Sequence, residues 1–360
     1  MHRPFVHRPA LSLVLGATAA LLSACGGDNQ GGDAQSASAS GTPQQRVVLD
    51  GLNNPSGVAF SGDGRLTVCD AGPGREHGNG RVVTSGIDGK DRRDHLTGFP
   101  TEYWKVGGEG EPDRFKLGPL SAVWLADGRL VVSNSGLADG VDHLVVYDGA
   151  GDADSGTASN PVPPTSDDPK DMGEGNFTGL SVGADGTVYV AGQGADAKTW
   201  VLRFDPDSAE LAGLAAADEY GIEINSPMAT MPDGETLLVL YSGAGGVEDG
   251  TIVRWNLESG EPVEQWSLPG LFDPMGFARM PGSSDLAVVD NNWNLREVND
   301  GRLARVSLPA GGGEATVEVL LDDLQGPTAC TFGPDGRLYV SLLGAVFDAD
   351  RGSVIAVSGL

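Results

Sequence analysis

Apolar and polar positions alternate along most of the chain in short runs broken by polar turns, and the pattern repeats. One unit reads NPSGVAFSGDGRLTVCD over 54–70, a second GPLSAVWLADGRLVVSN over 118–134, and a third NFTGLSVGADGTVYVAG over 176–192. Further copies cover 226–241, 273–290 and 326–342. Each is an apolar strand, a turn built on Asp and Gly, and a second apolar strand. Alternation with a period of two is the signature of a half-buried β-strand. An Asp-Gly pair between two such runs signals a hairpin, because both residues tolerate the positive φ of a primed turn. The turn residues Asp63, Asp127, Asp185, Asp233, Asp285 and Asp335 stand 64, 58, 48, 52 and 50 residues apart. That is the spacing of propeller blades of about 40 to 50 residues carrying loop insertions.

Third strands follow at 81–84, 143–147, 200–204, 251–255, 302–306 and 353–357, and fourth strands at 262–268 and 316–321. The pattern therefore predicts an all-β, six-bladed β-propeller of four-stranded blades over residues 46–360. Residues 46–55 repeat the pattern of 319–327, which leads from blade five into blade six. Strand 46–49 is thus expected to complete the last blade and close the ring, removing the open sheet edge. Residues 209–219 are the one helical candidate. Cys69 falls in blade one and Cys330 in blade six, which closure makes neighbours; two buried thiols and a disulfide across the seam both remain open.

The first 45 residues follow a different pattern. Arg3 and Arg8 precede an apolar run, 10–24, that ends Leu22-Ser23-Ala24-Cys25. The run is shorter than the roughly 20 residues a membrane-spanning helix needs, so it reads as an export signal. Leu-Ser-Ala-Cys resembles the lipobox of bacterial lipoproteins, which implies cleavage before Cys25 and lipidation of its thiol. Residues 1–24 are then the signal peptide, and 25–45, poor in large apolar residues, a flexible tether behind the lipidated cysteine. This places the domain in the bacterial cell envelope, exported and anchored to a membrane on its periplasmic or extracellular face.

Composition narrows the partners. With 50 Asp and Glu against 23 Lys and Arg the formal charge is −27, and a chain without a basic patch cannot replace the counterions of a nucleic acid. The 55 glycines carry no three-residue period, so they mark turns rather than collagen. A protein, a glycan or a small molecule remains as partner, and the domain is expected to be monomeric.

Leu286-Ala-Val-Val-Asp-Asn-Asn-Trp-Asn-Leu-Arg-Glu-Val298 resembles the strand, Asp, Asn, Arg pattern of NHL repeats, and Asn54-Pro-Ser-Gly-Val-Ala-Phe60 resembles their first strand. Propellers of this class include the gluconolactonase and senescence-marker family. The resemblance implies a channel mouth near the start of each innermost strand. In that family a divalent cation, usually calcium, sits there on a Glu from Glu-Gly-Pro and on Asn and Asp from Pro-Asn-Gly and Pro-Asp-Gly motifs. Here Glu-Gly-Pro corresponds to Leu117-Gly118-Pro119, and the other ligand positions to Ser56, Leu120, Thr178, Met228, Met275 and Thr328, none a carboxylate or amide.

Acids and amides lie one step outward. Asn54, Asn176 and Asp273 precede first strands, while Asp70, Asn134, Asp290 and Asn291 end second strands. By blade equivalence they share the mouth face, where they form a candidate ligand-binding rim or satisfy backbone groups in turns. His77, His95 and His143 lack metal-ligand spacing, and no Gly-x-Ser-x-Gly is present, so no catalytic residue is assigned. The acidic loops fit no twelve-residue calcium loop, and insertion 149–175 is expected to overhang blade two or three. The sequence thus supports an anchored, ligand-binding propeller without an assigned cofactor. The alternative is a divalent-metal-dependent lactonase of the gluconolactonase-like class, with calcium as its cofactor.

Overall fold

The computed structural model describes residues 42–72, 78–105, 114–161, 173, 175–193, 199–222, 226–292, 301–344 and 350–360. Cys25, the export signal, the tether up to residue 41, His77 and residues 162–172 of the long insertion lie outside them. Six sheets, each with four antiparallel strands, form the blades. Their innermost strands are Pro55–Phe60, Pro119–Trp124, Gly175–Val182, Ser226–Asp233, Pro274–Arg279 and Pro327–Phe332. Each packs against the next and the sixth against the first, which makes the architecture a six-bladed β-propeller. Closure takes the expected form: Gln44–Leu52 pairs antiparallel with Gly352–Ser358 as the outer strand of the last blade.

Every seam between blades carries its own cluster of buried apolar side chains, and six such clusters complete the circle. Cys69 belongs to the seam between blades one and two, Cys330 to that between five and six, and the closing seam contains neither. Both are therefore free, buried thiols. The disulfide does not form because strand alternation turns the two side chains to opposite sides of the joined blades. Burial raises both thiols, that of Cys330 to about 12.

Three local expectations change. The candidate helix is a strand: Glu210–Ala216 pairs with Thr199–Asp205 as the outer edge of blade three, and only the 3₁₀ turn Ala217–Tyr220 follows. Leu211 is drawn into the seam, and the Asn160 side chain accepts its N–H at 2.7 Å and donates to its carbonyl at 2.9 Å. In blades one, two, three and six the hairpin turns are not primed, because the positive φ falls on the glycine after the aspartate, at Gly64, Gly128, Gly186 and Gly336, outside the two central residues. The aspartate instead accepts the N–H two residues on, as Asp127 does from Arg129 and Asp185 from Thr187. Finally, the described part of the long insertion serves blades one and two. Gly151–Asp152 runs parallel to Arg93–Phe99, and Thr157–Ala158 is the outer strand of blade two.

The inner strands approach each other backbone to backbone. Two residues into the lead-in pattern stand Gly57, Ser121, Gly179, Ala229, Gly276 and Ala329, all small. A Cβ on Gly57 would lie 2.6 Å from the Leu120 carbonyl oxygen, and one on Gly179 2.6 Å from that of Met228. Because the obstruction is backbone, it cannot rotate away. Gly179→Val should therefore destabilise the domain by about 3 kcal/mol, the upper range for overpacking, read as a lower urea midpoint at unchanged m-value. A midpoint equal to that of the unaltered protein would refute the close approach.

Candidate functional site

Near its start, each innermost strand points one side chain toward the axis. Ser56, Leu120, Thr178, Met228, Met275 and Thr328 meet there as a ring around a narrow cavity of about 40 Å³. This is the ring expected from the sequence. Asn54, Lys116, Leu117 and Leu343 complete its wall. At the hairpin end the channel widens to about 430 Å³, with Phe60, Trp124, Met231, Phe277 and Phe332 among its lining.

Hydroxyls on the ring are engaged across blades. Ser56 Oγ donates to the Pro119 carbonyl at 3.1 Å, and Thr328 Oγ1 to that of Pro55 at 2.9 Å. These bonds stitch blade one to two and blade six to one, so they serve closure as well as the cavity wall.

All seven rim candidates are buried at the mouth face, and most hold backbone. Asp70 accepts the Asn53 N–H at 2.8 Å and pairs with Arg81 at 2.9 Å. Asp290 accepts the N–H groups of Phe272 at 3.2 Å and Asp273 at 2.6 Å. Asp273 in turn accepts from Gly246 N–H at 3.0 Å, and Asn291 donates to the Pro327 carbonyl at 2.9 Å. Asn176, at φ 44, donates through its side chain to Gln193 at 2.8 Å, while its N–H is held by Asp142 at 2.9 Å. Burial raises Asp70, Asp142 and Asp290 above the usual carboxylate range, Asp142 to about 8. These side chains fasten the lead-in loops to the second strands, in the way short polar side chains satisfy turn backbones.

Two rim residues keep an unpaired atom. The Asn134 side chain lies 3.4 Å from His143 Nε2, and its Oδ1 is buried without a partner. Asn54 is the one rim candidate that also lines the cavity. It is 4 % exposed, holds φ 66, and donates from Nδ2 to the Lys116 carbonyl at 3.0 Å, leaving its buried Oδ1 without a partner.

Lys116 escaped the sequence reading. It ends a hairpin, Glu102–Lys105 with Arg114–Leu117, inserted between blades one and two, and is 2 % exposed in the cavity wall. Its Nζ lies 3.4 Å from Asn53 Oδ1. The available signal was its place directly before Leu117, where the lactonase motif has its acid. His95, by contrast, lies away from the mouth, edge-on to Trp124 at 5.4 Å, and burial lowers its pKa.

The mouth does not fit calcium. A hard divalent ion takes about six to eight oxygen ligands, carboxylates foremost, whereas the ring supplies three hydroxyls, a leucine and two methionines beside an ammonium. Among the described residues no three His, Cys, Asp or Glu side chains come together to hold a metal.

No protein-family model matches the chain, and no curated protein sequence does. Solved structures match in fold. The soluble aldose sugar dehydrogenase of Escherichia coli, in its apo form, aligns at a TM-score of 0.60 and 16 % identity over 89 % of this chain and 100 % of that one. A gluconolactonase from Xanthomonas campestris aligns at 0.56 and 16 % over 91 % and 94 %. The PQQ-bound aldose sugar dehydrogenase of Streptomyces coelicolor aligns at 0.56 and 16 % over 88 % and 98 %. At such identity the likeness establishes the propeller and leaves chemistry to the residues.

If the rim is a set of fastenings, Asp290→Ala leaves the buried N–H of Asp273 and the half-buried N–H of Phe272 unpaired. The expected cost is about 2 kcal/mol of unfolding free energy, with Asp290→Asn losing less. Denaturant titration measures this, and an unchanged midpoint in the alanine variant would contradict the role.

Proposed function

We propose that this chain is an exported, lipid-anchored envelope protein whose propeller binds a small ligand at the channel mouth without a metal ion. The observation that carries the reading is the composition of the mouth ring, which lacks any carboxylate yet encloses a cavity with one buried, unpaired acceptor, Asn54 Oδ1. An orphaned acceptor of that kind costs about 1–3 kcal/mol, a penalty that a donor on a bound ligand would offset. Anchoring is supported by the lipobox-like Leu22-Ser23-Ala24-Cys25 behind a short apolar run.

A second reading is a lactonase of the gluconolactonase-like class. What favours it is the fold shared with the Xanthomonas gluconolactonase over 91 % of this chain. Against it stands the ring chemistry, since the metal that this reading requires has no oxygen cage here.

Two measurements test these statements. Cys25→Ser should abolish incorporation of labelled fatty acid and move the protein from the membrane fraction to the soluble one; unchanged fractionation would dismiss the anchor. The purified mature chain, dialysed against calcium, should retain no stoichiometric ion and show no EDTA-sensitive hydrolysis of gluconolactone. Calcium-dependent turnover would establish the lactonase instead.

A further inference from the structure

We infer that the seam between blades one and two carries, at its hairpin end, a site for a small doubly charged oxyanion of the sulfate or phosphate type, gripped by the Arg65 and Arg93 guanidiniums beside the His95 imidazole. The site lies at the other end of the ring from the mouth and does not depend on how the mouth is read.

Three observations carry it. First, strand pairing gathers these side chains. Thr67 stands opposite Thr84 and Thr84 opposite Arg93, so the three share one face of blade one. The register then skips His95, since Asp94 lies opposite Val83 and Leu96 opposite Val82. A bulge of this kind re-aims a side chain, and here the imidazole meets Trp124 of blade two edge-on at 5.4 Å. Trp124 is fixed in turn by its Nε1, which donates to Thr67 Oγ1 at 2.9 Å.

Second, both guanidiniums are anchored without a counter-charge. Arg65 Nη2 donates to the Asp91 carbonyl at 2.8 Å, and Arg93 Nε to Thr84 Oγ1 at 3.2 Å. Asp91 and Arg93 are two residues apart, a span of at most roughly 7 Å, so the two guanidiniums are near neighbours that one tetrahedral oxyanion bridges. Neither makes an ion pair with a described carboxylate, unlike Arg81 with Asp70 or Arg129 with Asp207. The acids close by are engaged elsewhere: Asp63, which Arg65 attracts from beyond ion-pair reach, is bonded to Ser61, Asp88 and Asp91 act on Lys90, and Asp94 pairs with Arg81.

Third, the polar atoms between them are unsatisfied. His95 is 7 % exposed with both ring nitrogens buried and unpartnered, and Arg65 Nε is buried without an acceptor. Burial first, then Arg93 and Arg65, lowers the pKa of His95, and no carboxylate raises it. An anion on the guanidiniums cancels the arginines' share. Binding therefore takes up a proton, and it tightens as the pH falls below the ordinary imidazole value of about 6.5. The planar fork of a guanidinium matches an oxyanion edge, which is why the site selects this ligand over a spherical halide.

The test is calorimetric titration of the mature full-length chain with sulfate, whose charge is constant across the histidine range of about pH 5.5 to 7.5, against chloride at the same ionic strength. Sulfate is expected to bind at least tenfold more tightly than chloride, at least threefold more tightly at the acid end of that range, and with proton uptake when buffers of different ionisation enthalpy are compared. Arg93→Gln, at an exposed position, should weaken sulfate at least tenfold. His95→Gln, checked for folding by thermal melt, should keep the binding and lose its pH dependence; proton uptake by the unaltered chain keeps the test decisive should that variant misfold. Comparing inorganic phosphate with glycerol 3-phosphate then tells the source, since either order supports the site: tighter binding of the ester points to a phosphate carried on a headgroup, tighter binding of the inorganic ion to a free anion. Sulfate binding no tighter than chloride, an affinity that does not change with pH, or a folded Arg93→Gln of full affinity would each overturn the inference.

Discussion

The close approach of six inner strands around the axis constrains everything else in the molecule. Their backbones come within contact where Gly57, Gly179 and Gly276 face the next blade, and a side chain there would meet backbone atoms that have no rotamer to change. This contact sets the radius of the ring. It leaves a cavity of about 40 Å³ at the mouth, and that width decides what chemistry the mouth can host. The constraint holds only if the circle is shut, which the pairing of Gln44–Leu52 with Gly352–Ser358 accomplishes. Hydroxyls on the mouth ring, such as Thr328 donating to Pro55, cross the same closing seam.

Polar residues at the mouth divide into two kinds once their partners are seen. Asp70, Asp273, Asp290 and Asn291 satisfy backbone groups of the loops that lead into the inner strands. They are buried because the loops are buried, and their charge is held by N–H donors and Arg81. Asn54 and Lys116 are different in kind: they share the cavity wall, and Asn54 carries an acceptor that the fold does not use.

The fold was legible because each blade repeats the same local rules. Alternating apolar positions, turn aspartates and glycines at blade spacing specify hairpins one by one, and six such units admit a ring. Even the residues of the mouth ring followed from counting within the repeat. Where local reading failed, a partner distant in sequence prevailed over propensity. Residues 210–216 pair with blade three and are clasped by Asn160, so a helix-prone alanine run became a strand. The partners of the seven rim residues are tertiary, so the sequence could not divide fastenings from ligand groups.

What the sequence by itself determined is the ring and its hydroxyl, leucine and methionine mouth, since both depend on periodicity within one blade. Only the tertiary structure decided that Cys69 and Cys330 face different seams, and that Lys116, carried in by an inserted hairpin, stands in the cavity beside Asn54. The physical reason is that an insertion breaks the repeat, so no register places its side chains. Their position comes from packing against blades one and two, where burial and a hydrogen bond from Asn54, rather than any pattern along the chain, fix the lysine.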